Sequence, residues 1–211
     1  YYMESDKAFR YNKKIVESSN GIIPVMYEYE ISYKECANRL QTIPLPINTK
    51  RIEYRENKVS GKITVFHGLN RYGFKGTKYV EDAFRELQQR YPNDLELIID
   101  GKLPLDEYLS VMRRANIVID QVNSYSLGMN GLYALAMGKI VLGGAEPEGL
   151  RSLGIEKSPV FNIEPCKDSI VQKIEEILDT RNLIPELGCN SRRFVEDVHC
   201  HIKIAQRYVE T

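Results

Sequence analysis

The chain has 211 residues, enough to bury one domain-sized core with some chain to spare. Its 29 basic and 29 acidic residues balance, which removes any chain-wide attraction for nucleic acid or an anionic membrane and leaves only local anion sites. No apolar run approaches the ~20 residues that cross a bilayer, the start is polar rather than signal-like, and Cys36, Cys166, Cys189 and Cys200 lie too far apart for a CxxC, so a cytoplasmic chain of free thiols is expected.

The chain starts Tyr1-Tyr2 rather than Met, which reads as a piece of something longer. Ser5 to Ser19 carries Phe9, Ile15 and Val16 among charges, a helix pattern, with Gly21 as its C-terminal glycine. Ile22-Ile23-Pro24-Val25-Met26 is a short apolar run expected as a strand, at an edge or an end because of its proline. Tyr27 to Leu40 predicts a second helix, with Tyr29, Tyr33 and Cys36 roughly on one face. Ile43-Pro44-Leu45-Pro46-Ile47-Asn48 is barred from helix by two prolines and reads as a linker between two compact units.

After Ser60-Gly61 the pattern becomes regular. Ile63 to Phe66 is apolar in a row, as in a strand covered on both faces. Thr77 to Tyr91 repeats Val80, Ala83, Phe84 and Leu87 at helical spacing. Strand Leu95 to Ile99, helix Leu105 to Ala115, strand Ile117 to Ile119, helix Asn130 to Met137 and strand Ile140 to Leu142 follow. Val160 to Ile163 predicts a further strand, Ser169 to Leu178 an amphipathic helix, and Ser191 to Val209 a closing helix. Strand–helix alternation with short connections implies an α/β fold, a doubly wound parallel sheet.

Ligands of such sheets bind outside the carboxyl ends of the strands. Four loops fall there. The first, His67 to Gly76, has three glycines, a histidine, Arg71 and Lys75, and reads as a pyrophosphate site or as a glycine-rich turn with solvated cations. It contains neither GxGxxG nor GxxxxGK[ST], so neither a dinucleotide fingerprint nor a P-loop is read. His67 itself is either a hydrogen-bonded wall of the site or a satisfied core group. The second loop, Asp100 to Pro104, either touches a base through backbone groups or is an ordinary tight turn. The third, Asp120 to Gly131, offers Asn123, Ser124, Ser126 and Asn130 and leads into a helix N-terminus without nearby acids, a place that attracts phosphate. The fourth, Gly143 to Gly149, carries Glu146 and Glu148, which either bond sugar hydroxyls or are solvated. His199-Cys200-His201 suggests a metal, but on one continuous helix residues two apart face away from each other, so no metal site is expected.

At these loops the chain resembles the C-terminal, donor-binding domain of retaining glycosyltransferases of the GT-B fold (group 1, family 4). "FHGLNRYGFKGTKYVEDAF" is similar to that family's Arg/Lys segment, "GR…KG…LLEA", and "ANIVIDQ…GLYALAMGKIVL" to "ADIVV…LEAMAxGxPVV". "IPVMYEYEISYKE…TIPLPIN" is similar to the tail of the acceptor domain and its linker, and "SRRFVEDVH…IAQRYV" to the closing helices, so the resemblance covers nearly the whole chain.

The resemblance implies a Rossmann-like GT-B C-terminal domain with an N-terminal remnant of a second domain. Residues 1–47 would be that remnant and linker, 48–190 the nucleotide-sugar donor domain, and 191–211 the helix crossing back. Arg71 and Lys75 would be catalytic, holding the donor diphosphate as it leaves. His67, Gly68, Asn70, Lys102, Leu103, Asn123, Ser124, Tyr125, Asn130, Gly131 and Tyr133 would bind substrate, with Lys102 and Leu103 bordering the base and Asn130 and Gly131 adding backbone contacts. Tyr125 and Tyr133 stand where the family has the two glutamates of its EX7E motif. No cofactor or metal is implied, since the nucleotide-sugar is itself the substrate. The implied partners are that donor, a saccharide acceptor in surface polysaccharide synthesis, and an N-terminal acceptor domain absent from this chain, with no nucleic acid. Peripheral membrane association of the full-length protein is also implied. This piece alone is expected to be inactive. The alternatives are a degenerate GT-B domain serving as a non-catalytic structural or partner-binding module, and a sugar-nucleotide epimerase-like enzyme.

Overall fold

Five short, mostly apolar runs pair in parallel, in the order β2-β1-β3-β4-β5, in this computed structural model, which describes residues 5–69 and 71–211. The strands are β1 (Ile63–Leu69), β2 (Leu95–Gly101), β3 (Ile117–Ile119), β4 (Ile140–Gly143) and β5 (Phe161–Asn162). Both faces are covered, which explains why the strands read as unbroken apolar runs. Ile63, Val65, Ile117, Ile119, Ile140 and Leu142 pack with Val80 and Leu87 of α4 (Thr77–Arg90) and with Ile170 and Ile174 of α8 (Lys167–Asp179). Phe66, Val118 and Val141 point the other way. They meet Met112 of α5 (Leu105–Arg114), Leu132 and Leu135 of α6 (Met129–Ala136), and Val195 of α9 (Ile184–Val198). This is the doubly wound α/β sheet expected from the alternation.

The strand order reverses between β1 and β3, so their carboxyl ends diverge into a crevice. His67, two residues before the end of β1, is in register with Ile119, the last residue of β3. A four-residue helix α3 (Tyr72–Lys75) follows β1 and turns into α4 through Gly76, whose φ of 69° favours glycine.

The segment before the sheet departs from expectation. Helix α1 (Asp6–Ser18) is present, capped by the Ser5 hydroxyl accepting from Ala8 N–H at 3.2 Å. Gly21 does not end it in a left-handed turn; a Cβ there would lie 2.6 Å from Leu40 Cδ1, so close approach is what calls for glycine. Residues 22–26 do not join the sheet as a strand. Ile22 makes one isolated bridge, donating to Asn38 O at 3.0 Å and accepting from Leu40 N–H at 2.8 Å. That pairing draws 33–40 away from helix, so the expected helix over Tyr27 to Leu40 is only α2 (Tyr27–Ser32).

Other helices depart from expectation. The fourth loop becomes α7 (Pro147–Leu153), with proline in its first turn and Gly154 at φ 71° as its stop. The closing helix is two: α9 starts earlier, at Ile184, and breaks at His199–Cys200 before α10 (His201–Glu210). The linker follows this break, with Ile47 N–H donating to His199 O at 2.7 Å and His201 N–H to Ile47 O at 3.2 Å. Among the described residues, no helix is long and apolar enough to cross a membrane.

Candidate functional site

A cleft of about 390 Å³ opens at the crevice between β1 and β3. Arg71, Phe74 and Lys75 line it from the loop after β1, Asp120 and Gln121 from the loop after β3, and Met129 and Asn130 from the start of α6. Val25, Met26, Tyr29 and Leu45 of the N-terminal segment form the facing wall. Both expected cations therefore reach one cavity.

Their settings differ. Arg71 is exposed, lies over the Phe74 ring at 5.4 Å and has no ion pair among the described residues. Lys75 is buried: its Nζ donates to Gly68 O at 3.1 Å and lies 3.7 Å from Asp120 Oδ1. Burial pushes its amine down, Asp120 opposes this, and the Arg71 charge adds to the depression. Asp120 is 1% exposed, and burial pushes its carboxyl up while Lys75 and two backbone N–H groups hold it down.

Those two amides correct one expectation. Asp120 Oδ2 accepts from Gly128 N–H at 2.8 Å, and the Gly131 amide helps hold the Asp120 carboxyl down. The start of α6 thus faces a carboxylate from the preceding strand end, which would oppose a phosphate at the Gly131 N–H. Its lack of a side chain matters for another reason: a Cβ would sit 2.8 Å from Asp120 Oδ2. Asn130, one residue earlier, does line the cleft.

His67 is also corrected, from wall to core. It is 0% exposed, with Nδ1 3.0 Å from Ile119 O and Nε2 3.0 Å from Thr77 Oγ1. A carbonyl only accepts, so Nδ1 carries the proton and Nε2 accepts from the Thr77 hydroxyl. Burial is the main cause that takes its pKa down to about 4, with the nearby Lys75 charge adding and the Ile119 bond opposing. This neutral ring ties β1, β3 and α4 together beneath the cleft.

The remaining expected residues spread around the rim. Gly68 lends its carbonyl to Lys75 and lies under the Tyr108 ring, whose Oη a Cβ would meet at 2.3 Å. Asn70 lies outside the described residues. Lys102 and Leu103 sit on the turn after β2 and do not line the cleft; Lys102 holds φ 61°. Asn123 donates to Gly73 O at 3.1 Å, joining the two cationic-loop partners rather than facing into the cavity. Ser124 Oγ accepts from Gln121 Nε2 at 3.0 Å. Tyr125 is exposed and packs on Tyr27 with ring centroids 5.2 Å apart. Tyr133 is exposed on α6 and lines no part of the cleft. Glu146 accepts from Asn162 Nδ2 at 2.9 Å and Glu148 lies 3.5 Å from Arg151, so both acids of the fourth loop have protein partners. His199 and His201 lie at a helix break rather than on one helix; His199 Nδ1 donates to Leu45 O at 2.8 Å.

Sequence reasoning missed the wall from Val25 to Tyr29, which no local pattern marks, and the role of Asp120. A single acid straight after a buried strand, with glycines eight and eleven residues on, was the available signal for the latter. Close packing fixes the third loop from below: a Cβ on Gly144 would lie 2.1 Å from Ser124 O. Gly144→Ala is therefore expected to displace residues 124–126 and cost about 1–3 kcal/mol in urea unfolding; an unshifted Ser124 amide resonance would count against it.

No family model matches the chain, and no curated protein matches it. Solved structures do. Sucrose-phosphate synthase from Thermosynechococcus elongatus is similar at TM-score 0.73 and 20% identity, over 98% of this chain and 61% of that one. HepE from Anabaena, in complex with UDP-glucose, is similar at TM-score 0.69 and 14% identity, over 98% of this chain and 67% of that one. The C-terminal domain of the group 1 glycosyl transferase LpcC from Francisella tularensis matches at TM-score 0.53 and 17% identity, over 73% of this chain and 98% of that domain. The chain has the fold of a GT-B glycosyltransferase domain, and it spans about 61% of the length of the synthase.

Proposed function

We propose that the cleft between β1 and β3 binds the diphosphate of a nucleotide-sugar, and that this chain is the donor-binding part of a retaining glycosyltransferase. The observation that carries this reading is the convergence of Arg71 and Lys75 on one cavity at the switch point of the sheet. With Asp120 offsetting one positive charge, the three groups leave a net cationic site, matched to a di-anion. In this reading Arg71, exposed at the cleft, contacts the phosphates directly, and Lys75 supplies a second charge fixed in place by Gly68 O and Asp120. Preorganised cations of this kind stabilise the charge that builds on a departing diphosphate, and no metal is required for it.

Residues 1–47 are then the end of an acceptor domain with its linker, 48–190 the donor domain, and 191–211 the return helix. HepE's complex with UDP-glucose supports a uridine nucleotide as the first donor to test. The whole protein would pass the sugar to a saccharide in surface polysaccharide synthesis, on the cytoplasmic side of a membrane, and this chain alone would not turn over.

One observation favours a second reading, a non-catalytic binding module. Tyr125 and Tyr133 are exposed phenols outside the cleft, and the Gly128 amide ahead of α6 already bonds Asp120. Calorimetry with UDP and GDP separates the readings. Binding by the wild type that weakens by roughly 1.5–3 kcal/mol in Arg71→Ala, the loss of a charge-assisted hydrogen bond, supports the donor site. Absence of binding to either nucleotide supports the module.

A further inference from the structure

The loop from Ser124 to Ser126 closes on a carboxylate that belongs to the N-terminal segment. Glu28, on α2, presents Oε1 to three donors: the Ser124 hydroxyl, the Tyr125 N–H at 2.8 Å and the Ser126 N–H at 3.1 Å. Two successive backbone amides and a hydroxyl turned toward one oxygen make a concave anion nest. The occupant fits it incompletely. Glu28 Oε2 is buried and has no hydrogen-bond partner, so half of the carboxylate has lost its water with nothing to offset the loss.

The nest adjoins the cleft. Gln121 lines the cleft, and its Nε2 donates to Ser124 Oγ at 3.0 Å and to Ser126 O at 3.1 Å. Met26 and Tyr29, on either side of Glu28 in the chain, line the same cavity. The tether of α2 does not depend on Glu28 alone. Glu30 bonds Arg39 at 3.2 Å, Thr42 at 3.0 Å and the Ser152 hydroxyl of α7. Glu28 can therefore swing out while the helix stays attached.

We infer that the Ser124–Ser126 nest is a second anion site of this cleft, that Glu28 occupies it as an internal stand-in, and that a phosphate oxygen of the ligand competes with Glu28 for its three donors. The inference rests on the diphosphate reading of the cleft for its ligand class. On exchange, the phosphate oxygen takes the two amides and the hydroxyl, and the freed Glu28 carboxylate regains water on both oxygens. Glu28 thus sets a threshold: ligands without an anionic oxygen for the nest leave Glu28 in place on its three donors.

The test titrates inorganic pyrophosphate into wild type, Glu28→Ala, Glu28→Gln and Arg71→Ala, by calorimetry and by the amide resonances of Tyr125 and Ser126. If the nest is free about one part in ten of the time in the wild type, Glu28→Ala tightens binding by up to ~tenfold. Glu28→Gln, which keeps the volume but not the charge, tightens it in the same direction, and both amide resonances move on titration. Equal or weaker binding in both Glu28 variants, or amide resonances that stay still, overturns the inference. Arg71→Ala reads the cleft separately. Weaker binding there without any gain in the Glu28 variants leaves the cleft reading standing and removes the nest; a gain in the Glu28 variants with Arg71→Ala unchanged keeps the anion nest and removes the cleft as the diphosphate site.

Discussion

Lys75→Met is expected to destabilise the protein by about 3–5 kcal/mol at neutral pH, because it leaves the Asp120 carboxylate buried without its cation. Asp120 is 1% exposed, and its nearest charge is Lys75 Nζ at 3.7 Å. The effect has a signature in pH. Burial already raises the folded pKa of Asp120 above its unfolded value, and losing Lys75 raises it further. A raised folded pKa contributes stability at low pH that disappears as pH climbs through it. The variant therefore lies nearest the wild type in acid and falls away as the carboxyl ionises. The Lys75→Met/Asp120→Asn double variant is expected to recover a large part of the loss, since it removes the unpaired charge while an amide oxygen still accepts from Gly128. Urea midpoints across pH measure all of this. A single variant within about 1 kcal/mol of wild type would show that the pair is not a buried ion pair at all. This is also why Arg71, exposed and without an ion pair among the described residues, is the better probe of ligand binding.

His67 is expected to weaken the fold by about 3 kcal/mol as pH falls from about 6.5 to about 4. Its folded pKa of about 4 lies below the ordinary value of 6.5, chiefly through burial. A neutral imidazole inside contributes stability that is complete above 6.5 and lost as acid protonates the unfolded chain; below 4 the loss is complete. His199 is shifted in the same direction by its own burial, so the wild-type slope alone does not isolate His67. The difference between wild type and His67→Gln does, because Gln has no proton to gain. Denaturation midpoints that fall in parallel for both proteins over this window would assign the acid sensitivity elsewhere.

The regular half of the fold was legible because burial on both faces, or on one stripe, leaves a period in the residues. Val80, Ala83, Phe84 and Leu87 announce α4, and all are buried. The N-terminal segment was less legible for the converse reason. No residue of α2 is buried, so no stripe marks where it ends, and the pairing of Ile22 with 38–40 is a contact between distant parts of the chain. Helices α7 and α9 each carry proline in the first turn, a start signal that the loop reading of Gly143 to Gly149 and the start of the closing helix at Ser191 leave unused. At the site, the cationic loop could be read because glycines and cations are local features. Asp120 at the head of α6, and Glu28 in the nest, could not, since each is a carboxylate supplied to a loop by a strand end or by a different segment.

Where the linker meets the gap between α9 and α10, the chain passes the same point twice, stitched by Ile47 to His199 and His201 on the backbone and by the His199 ring to Leu45. Freeing residues 45–47 from the helix pair therefore means breaking all three of these hydrogen bonds, not one.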